Sequence, residues 1–407
     1  MRLVLFVAPY FSENAARMIE AAGTLPDVQL GVISTQAAAD APEPARRGMR
    51  WHWRVEDFLD PAQLVWAAQG IATQAQAPIH RIFGALEQAQ VAIAEAREAL
   101  GVRGLSAETT RHFRDKARMK DVLRAAGVPC ARHALVATPD EALAAARRIG
   151  YPLVVKPPAG AGAVGTFRVE GDDQLRAALA AAPPSAAQPT LLEEFIVGTE
   201  HSLETISIEG RAAWHSLTHY APTPLDVVRN PWIQWCVLLP REVDDPRYDD
   251  IKAAAAQGLQ ALGMGTGLTH MEWFRRRDGS VAIGEVGARP PGAQITTMVS
   301  RANDIDFVQA WTRVMIDGTF APPVRKYAVG TTYLRGQGRG QVRAVHGLEA
   351  VAREIGGLVC DYRLPWVGQH PTGSYEGEGY IIVRHPETAV VEQALERIVS
   401  RIRVELG

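Results

Sequence analysis

The chain has few cysteines, a small net charge and no long hydrophobic run, and each shortage excludes a class of protein. Cys130, Cys236 and Cys360 are too far apart for a disulfide framework or a thiolate zinc site. Its 43 basic and 45 acidic residues argue against a broad basic surface for nucleic acid or a membrane. The apolar run at 3–8 is too short for a signal-peptide core or a membrane span. We therefore predict a cytoplasmic protein with buried, reduced thiols.

Length and composition indicate an ordinary globular chain with more than one domain. The 407 residues are 47% hydrophobic and 22% charged, and a domain typically takes about 150 residues. Strand-like and helix-like runs alternate over the first hundred residues, which predicts a parallel sheet with helices. Glycines near 101–104 and the Ala-Pro-Pro of 321–323 mark the boundaries. We predict an α/β (α+β) fold with domains at 1–105, 106–318 and 319–407.

The middle of the chain begins with a different order of elements. Its patterns predict a helix at 115–126, a strand at 131–136 and a helix that starts at Thr138-Pro139. Two further strands are predicted at 153–156 and 166–170. A glycine-rich stretch joins these two strands.

That stretch contains Gly160, Gly162 and Gly165 and fits G-x-G-x-x-G, the pattern of a dinucleotide site. We reject this interpretation because 166–170 is strand-like, whereas the motif must open a helix, and no acidic residue for ribose stands at 180–185. A hairpin tip whose backbone amides close over phosphates remains. An ordinary flexible turn is the alternative.

Lysine is scarce, and three of the five lysines fall in this region. Lys156 ends an apolar strand beside the glycines, where a compact ammonium suits a phosphate. Lys116 and Lys120 share a helix face by their i,i+4 spacing. A surface lysine is the alternative for Lys156, and solvation is the alternative for the other two.

A short apolar strand carries two acids, Glu193 and Glu194, followed by Phe195 and Ile196 and then by Glu200. An apolar slot with main-chain partners suits adenine, and a carboxylate suits ribose hydroxyls. An exposed strand edge explains the same residues.

The most informative segment is a predicted hairpin with two opposed acids. Asp278-Gly279 predicts a two-residue turn, which places Glu272 opposite Glu285. Like charges at facing positions are destabilising unless a cation or a proton lies between them. Magnesium held by these carboxylates and by substrate phosphates satisfies that requirement, with two solvated acids as the alternative. Alternation places Arg289 on the face of Glu285, where it can stabilise a phosphoryl group or bind a substrate carboxylate.

Three aromatic side chains are candidates for substrate contact. His270 shares a face with Glu272, and no other histidine stands at the spacing of a zinc site. Trp232 and Trp235 lie in a segment, 215–240, with four prolines, which favours a rigid aromatic loop beside the site. Packing against a neighbouring domain is the alternative for this loop.

In their order along the chain, these motifs resemble the ATP-grasp superfamily, and among its members the carboxylate–amine ligases of the L-amino acid ligase type. The motifs are Asp115-Lys116 with Met119-Lys120, Gly127-Val128-Pro129, residues 151–157 with the glycine-rich stretch, residues 193–196 with Gly198-Thr199-Glu200, and Glu272 with residues 285–290. The resemblance covers 109–318, with an ATP-covering subdomain within 106–195. The first hundred residues resemble a pre-ATP-grasp domain, and the last ninety resemble the C-terminal segment of L-amino acid ligases.

The resemblance implies a role for each site residue. It implies that Lys116, Lys156 and the glycines contact ATP phosphates, that residues 193–196 hold adenine, that Glu200 binds ribose, that Glu272 and Glu285 bind magnesium, and that Arg289 assists at the reacting centre. Two departures from relatives are Gly287, where many have asparagine, and Ala163-Val164, where ligases often have serine and arginine.

The implied activity joins a small carboxylic acid, an amino acid above all, to an amine through an acyl phosphate, with ATP and Mg²⁺ and with release of ADP. The expected partners are small molecules, not nucleic acid or membrane, and a homodimer is one option for the assembly. A biotin-carboxylase-type enzyme is an alternative, which would need a partner chain to carry biotin. A nucleotide-binding protein that has lost catalysis is the other, motivated by Gly287, Ala163 and Val164.

Overall fold

The computed structural model describes residues 1–159, 165–230 and 232–407. The first part is a parallel sheet in the order β3-β2-β1-β4, covered by helices, as the alternation predicts. Its strands are β1 (Arg2–Val7), β2 (Val28–Ser34), β3 (Trp51–Arg54) and β4 (Ile79–Gly84). The helices are α1 (Glu13–Gly23), α2 (Glu43–Gly48), α3 (Pro61–Ala75), α4 (Gln90–Ala99) and α5 (Ala107–Arg114). Alternate residues of β1 enter two separate cores, so both faces of this sheet are buried.

A small antiparallel sheet follows, in the order β5-β8-β6-β7 among the described residues. Its elements are α6 (Lys116–Ala125), β5 (His133–Val136), α7 (Pro139–Ile149), β6 (Leu153–Lys156), β7 (Phe167–Val169), α8 (Asp172–Ala181) and β8 (Thr190–Glu194). The predicted helices and strands of this region are confirmed, with β5 starting two residues late. The segment after Gly165 continues as a strand, which agrees with the rejection of a dinucleotide-binding helix.

The rest of the described chain is dominated by an antiparallel sheet in the order β13-β12-β9-β10-β11-β14-β18-β17, beside a smaller sheet in the order β15-β19-β16. The strands are β9 (Gly198–Ile208), β10 (Arg211–Ala221), β11 (Cys236–Leu239), β12 (Gly267–Arg276), β13 (Val281–Gly287), β14 (Ala328–Leu334), β15 (Gly336–Gly338), β16 (Val342–His346), β17 (Val359–Arg363), β18 (Gly379–His385) and β19 (Arg403–Leu406). The helices are α9 (Pro224–Arg229), α10 (Asp249–Ala261), α11 (Ile295–Asn303), α12 (Phe307–Asp317), α13 (Leu348–Ile355) and α14 (Thr388–Arg401). Single 3₁₀ turns lie at Ala38–Asp40, Glu87–Ala89, Pro246–Tyr248 and Gly356–Leu358.

The large sheet includes strands from both sides of residue 318, because β14, β17 and β18 continue it beyond β11. The domain limits given above therefore stay predictions. In the part of the chain that is described, none of the helices has the length and apolar character to cross a lipid bilayer.

The hairpin of β12 and β13 places Glu272 opposite Glu285, as predicted, but by a different route. The predicted two-residue turn is wrong, because residues 277–279 reverse the chain and Gly279 takes a left-handed φ of 84°. This longer turn shifts the neighbouring pairs by one residue. A bulge at Gly284 shifts the register back before the two glutamates are reached.

The three cysteines are free thiols, as predicted, but each is half-buried rather than buried. Burial raises the pKa of Cys236 and of Cys360 to about 11. Both thiols are therefore protonated and poorly nucleophilic at neutral pH.

Candidate active site

A cavity of about 330 Å³ lies between the small antiparallel sheet and the β12–β13 hairpin. Most of the residues selected from the sequence line it, although they come from distant parts of the chain. Those that line it are Lys116, Lys156, Glu193, Glu194, Phe195, Ile196, Glu200, Trp235, His270, Glu272, Glu285 and Arg289. A cavity of this size with convergent charged groups is suited to a small-molecule site.

Glu193 lies between two lysine side chains at the base of the cavity. Its carboxylate pairs with the Nζ atoms of Lys120 and Lys156, each at 2.8 Å, and Lys120 is fully buried. Burial alone would raise the pKa of Glu193, but the two ammonium groups hold it at about 2. The same carboxylate raises the pKa of Lys156 against the opposing effect of burial, so Lys156 is charged at neutral pH.

Lys120 is a site residue that the sequence analysis did not select. Solvation, the alternative considered for Lys116 and Lys120, is wrong for both, because both side chains are buried. Lys120 also donates to the carbonyl oxygen of Gly284, at the β13 bulge. The sequence signals for Lys120 were its i,i+4 spacing from Lys116 and its place in the Met119-Lys120 motif.

The two opposed glutamates each have a cationic neighbour. Lys116 Nζ lies 2.8 Å from Glu285 Oε1, and His270 Nε2 lies 3.8 Å from Glu272 Oε1. His270 Nδ1 donates to the buried Glu204 at 2.8 Å. Burial alone would lower the pKa of His270, but the two carboxylates raise it to about 9. His270 therefore carries a positive charge, and its Nε2 atom faces Glu272.

The donor set at Glu272 and Glu285 fits magnesium only in part. Considering the described ranges alone, no group of three or more His, Cys, Asp or Glu side chains is arranged to hold a metal. Magnesium commonly takes one or two protein carboxylates and completes its shell with water and phosphate oxygens. The facing pair therefore suits an ion that arrives with phosphates rather than a resident metal.

The predicted adenine wall combines an apolar slot with a fixed strand end. Ile196 is buried, and the carboxylate of Glu194 is engaged by Arg132 at 3.2 Å and Arg276 at 2.8 Å. The guanidinium of Arg168 lies 4.1 Å from the ring centroid of Phe195. Burial would raise the pKa of Glu194, but hydrogen bonds from Arg276 and Arg132 hold it at about 2. Glu194 therefore secures the strand end, and the apolar neighbours form the slot.

Glu200, the third residue of β9, is buried. Its carboxyl group accepts no hydrogen bond from any described residue. Burial and the nearby charge of Glu272 raise its pKa well above the usual range. Such a group can both donate to and accept from hydroxyl groups of a ligand.

Strand alternation was predicted to place Arg289 on the same face as Glu285. Arg289 is not in the strand, because β13 ends two residues earlier, at Gly287. Its side chain still lines the cavity, where it forms an ion pair with Glu87 from the N-terminal part of the chain. Its Nε and Nη2 atoms donate to Glu87 Oε2 at 2.8 Å and 2.7 Å, and Glu87 also pairs with Arg114 at 3.4 Å. Glu87 carried no sequence signal, because its partner is 202 positions away.

The structure separates the two tryptophans proposed as a pair. Trp235 is buried, lines the cavity and stacks on Tyr333 with ring centroids 5.2 Å apart. Trp232 is 62% exposed and lies outside the cavity lining, within the residues that are described. Tyr220 and Tyr375 complete the aromatic wall beside Trp235.

Of the glycines predicted to cover phosphates, only Gly165 lies within the described residues. Gly160 and Gly162, together with Ala163 and Val164, lie outside the described residues. Gly165, two residues before β7, has a left-handed φ of 69°. A side chain at this position would be strained.

A family model described as the ATP-grasp domain matches residues 121–302. The chain is 25% identical over 244 residues to an L-arginine-specific L-amino acid ligase of Bacillus subtilis, covering 59% of this chain and 58% of the relative. It is 28% identical over 210 residues to a D-alanine–D-alanine ligase of Stutzerimonas stutzeri, covering 50% of this chain and 64% of the relative. The chain thus spans about three fifths of the length of these curated relatives.

Solved structures share the whole fold. The L-amino acid ligase from Bacillus licheniformis superposes with a TM-score of 0.79 at 20% identity, covering 100% of this chain and 99% of that chain. The N5-carboxyaminoimidazole ribonucleotide synthetase from Thermotoga maritima superposes with a TM-score of 0.71 at 17% identity, covering 100% of both chains. At these identities the likeness concerns the fold.

Proposed function

We propose that this chain, which belongs to the ATP-grasp superfamily, is an ADP-forming ligase that joins a small carboxylic acid to an amine. The observation that carries the proposal is the meeting, in one cavity, of two lysines, Lys116 and Lys156, with a facing pair of glutamates and an arginine. Phosphoryl transfer needs mainly positioning and neutralisation of negative charge, and this arrangement supplies both. An amino acid is the acid we propose, in line with the amino acid ligases among its relatives.

Each charged residue has a distinct task in this proposal. Lys116 and Lys156 bind the phosphates of ATP, and Arg289 orients the reacting carboxylate. Glu272 and Glu285 would hold magnesium, which neutralises charge on the transferred phosphoryl group. The slot at 193–196 would take adenine, and Glu200 would bind ribose hydroxyls.

The proposed reaction has two steps. A carboxylate oxygen attacks the γ-phosphorus and the bond to the β–γ bridging oxygen breaks, which gives ADP and an acyl phosphate. The amine nitrogen then attacks the acyl carbon, phosphate leaves with the electron pair of the C–O bond, and the nitrogen loses a proton. No covalent enzyme intermediate is required.

The nucleotide product tests this function. The enzyme, incubated with ATP, magnesium and pairs of amino acids, should release ADP and phosphate in step with the amide product, because the lysines, and magnesium held by the two glutamates, would neutralise charge near the γ-phosphoryl group. Chromatography of the nucleotides measures the ratio. AMP formed in step with turnover would contradict the proposal. Turnover that depends on bicarbonate would favour the carboxylase-type alternative, and nucleotide binding without turnover would favour a protein that has lost catalysis.

Glu87→Gln should lower kcat on the order of tenfold while changing the KM for ATP much less. The amide accepts the hydrogen bonds of Arg289 without the charge that fixes them, and loss of orientation at a reacting group costs rate rather than nucleotide affinity. Steady-state kinetics separate the two constants. Glu95→Gln, which alters a half-exposed pair with Arg111, is the matched control. An unchanged kcat in Glu87→Gln would show that Arg289 does not need this partner.

The other expectations from the sequence stay predictions. They are a cytoplasmic location, a homodimer, and a substrate-contacting role for Trp232, Trp235 and His270.

A further inference from the structure

A second cavity, of about 310 Å³, shares Arg289 with the active-site cavity. It is bordered by the edge strand β4, by the start of β12 and by α12. Its lining includes apolar side chains, Ile82, Leu105, Met264, Trp311 and Met315 among them. The proposed ligase reaction assigns no role to this cavity.

Positive charge predominates around the second cavity. The lining contains Arg81, Arg97 and Arg103 besides Arg289, against two acids, Glu209 and Asp317. Asp317 is already paired with an arginine outside the lining, Arg2. The cavity therefore has more positive charge than its own acids neutralise.

Two of these arginines have no acidic partner. Within the described part of the chain, neither Arg81 nor Arg103 forms an ion pair with a carboxylate. Partial burial, the charge of Arg103 and the charge of Arg2 lower the pKa of Arg81, against the opposing effect of Asp317, which is itself paired with Arg2. Arg103 is exposed and Arg81 is half-buried, so both guanidinium groups are accessible to an anion that can accept hydrogen bonds from them.

The interior of the cavity also leaves hydrogen-bond donors unused. Arg97 is 6% exposed and Trp311 is 2% exposed, and the Nε of Arg97 and the Nε1 of Trp311 have no partner among the described residues. The terminal nitrogens of Arg97 donate to the carbonyl oxygens of Ile82 and Leu105, at 3.3 Å and 2.7 Å. Both unused atoms can only donate, and buried donors are seldom left unpaired.

We propose that the second cavity binds a small organic anion, with a carboxylate or phosphate group recognised by Arg81 and Arg103 and an apolar body packed against the methionines and Leu105. The arginines match either anionic group in a bidentate manner, and the apolar lining disfavours a bare inorganic ion. The proposal is independent of the ligase function, since Arg81 and Arg103, which carry it, line the second cavity and not the active-site cavity.

Isothermal titration calorimetry with three six-carbon probes tests the site. Hexanoate and hexyl phosphate carry the two anionic groups on the same chain, and hexylamine reverses the charge. We expect the wild-type protein to bind at least one anion, and the double variant Arg81→Gln/Arg103→Gln to bind it at least tenfold more weakly. The anion that binds more tightly identifies the carboxylate or the phosphate as the natural group.

A matched double variant, Arg343→Gln/Arg353→Gln, removes two arginines that are exposed in the C-terminal part. It should bind the anion as the wild type does, and all three proteins should bind ATP equally. Trp311→Phe, which deletes one unused donor while keeping a ring, should also weaken anion binding and serves if the arginine variant fails to fold. Absence of anion binding by the wild type, equal affinity in the Arg81/Arg103 variant, or equally tight hexylamine binding would overturn the proposal.

Discussion

Glu285→Ala should lower the turnover number by a factor on the order of 10² or more at saturating ATP. Glu285 faces Glu272 across the hairpin and pairs with Lys116, so its carboxylate lies among the groups proposed to hold magnesium and the phosphates. An ion bridging protein and phosphates supplies several kcal/mol of transition-state stabilisation, and each 1.36 kcal/mol changes the rate about tenfold. ADP release followed at several magnesium concentrations measures the loss.

Two further variants separate a lost metal ligand from a damaged fold. Glu285→Gln keeps the shape of the side chain and should lose nearly as much activity, because a neutral amide is a poor magnesium ligand. Glu349→Ala removes a carboxylate that is 94% exposed on α13 and should be as active as the wild type. The thermal unfolding of each variant should also be measured, because Glu285 pairs with Lys116 and its loss can lower the stability of the fold. Near-normal turnover of Glu285→Ala at saturating magnesium would remove this residue from the proposed site.

The pairing of Glu272 with Glu285 shows how much of the site a local sequence pattern can predict. The Asp-Gly pair at 278–279 correctly indicated a hairpin, because a glycine is needed where the backbone takes a positive φ. The two-residue turn that it predicted was wrong, because three residues, 277–279, reverse the chain. The bulge at Gly284, a residue without a side chain to hold the regular pairing, compensates for the extra turn residue and restores the predicted partners.

Helices and strands that have strong signals in their own sequence were predicted well. The helix of 139–149 begins after Thr138, whose side chain accepts a hydrogen bond from the amide of Glu141. The strand at 153–156 coincides with the apolar run that predicted it. Such signals arise from neighbours within a few positions. They describe each element on its own and say little about which elements meet.

The missed residues depend on contacts between elements. Glu87 holds Arg289 from 202 positions away, and Glu204 orients His270 from 66 positions away. Lys120 is inside the protein because β8 and the β13 bulge close over α6. A lone acid or lysine is usually a solvated surface residue, so only the assembled fold distinguishes these side chains from others of their type.

The strongest structural prediction concerns the buried cluster of Glu193 with Lys120 and Lys156. Glu193→Gln should lower the free energy of unfolding by about 3–5 kcal/mol at pH 7, because it leaves the fully buried ammonium group of Lys120 and the largely buried one of Lys156 without their countercharge. The pKa of Glu193 is depressed from 4.5 to about 2, so its contribution is complete above about pH 4.5 and is lost as the pH falls toward 2. Urea unfolding at a series of pH values should show a constant gap between wild type and variant above pH 4.5 and a shrinking gap below it.

The neighbouring acid provides the matched control for this experiment. Glu194 has a similarly low pKa, but the side chains of its partners Arg132 and Arg276 are 57% and 27% exposed, so water can reach both guanidinium groups once the carboxylate is gone. Glu194→Gln should therefore cost markedly less than Glu193→Gln, although both remove one negative charge from the same strand. Equal losses from the two variants would show that burial of Lys120 does not set the energy of the cluster. A smaller loss from Glu193→Gln would mean that the lysines relax into solvent or release protons, and the proposed phosphate-binding charge at Lys156 would then lack its structural basis.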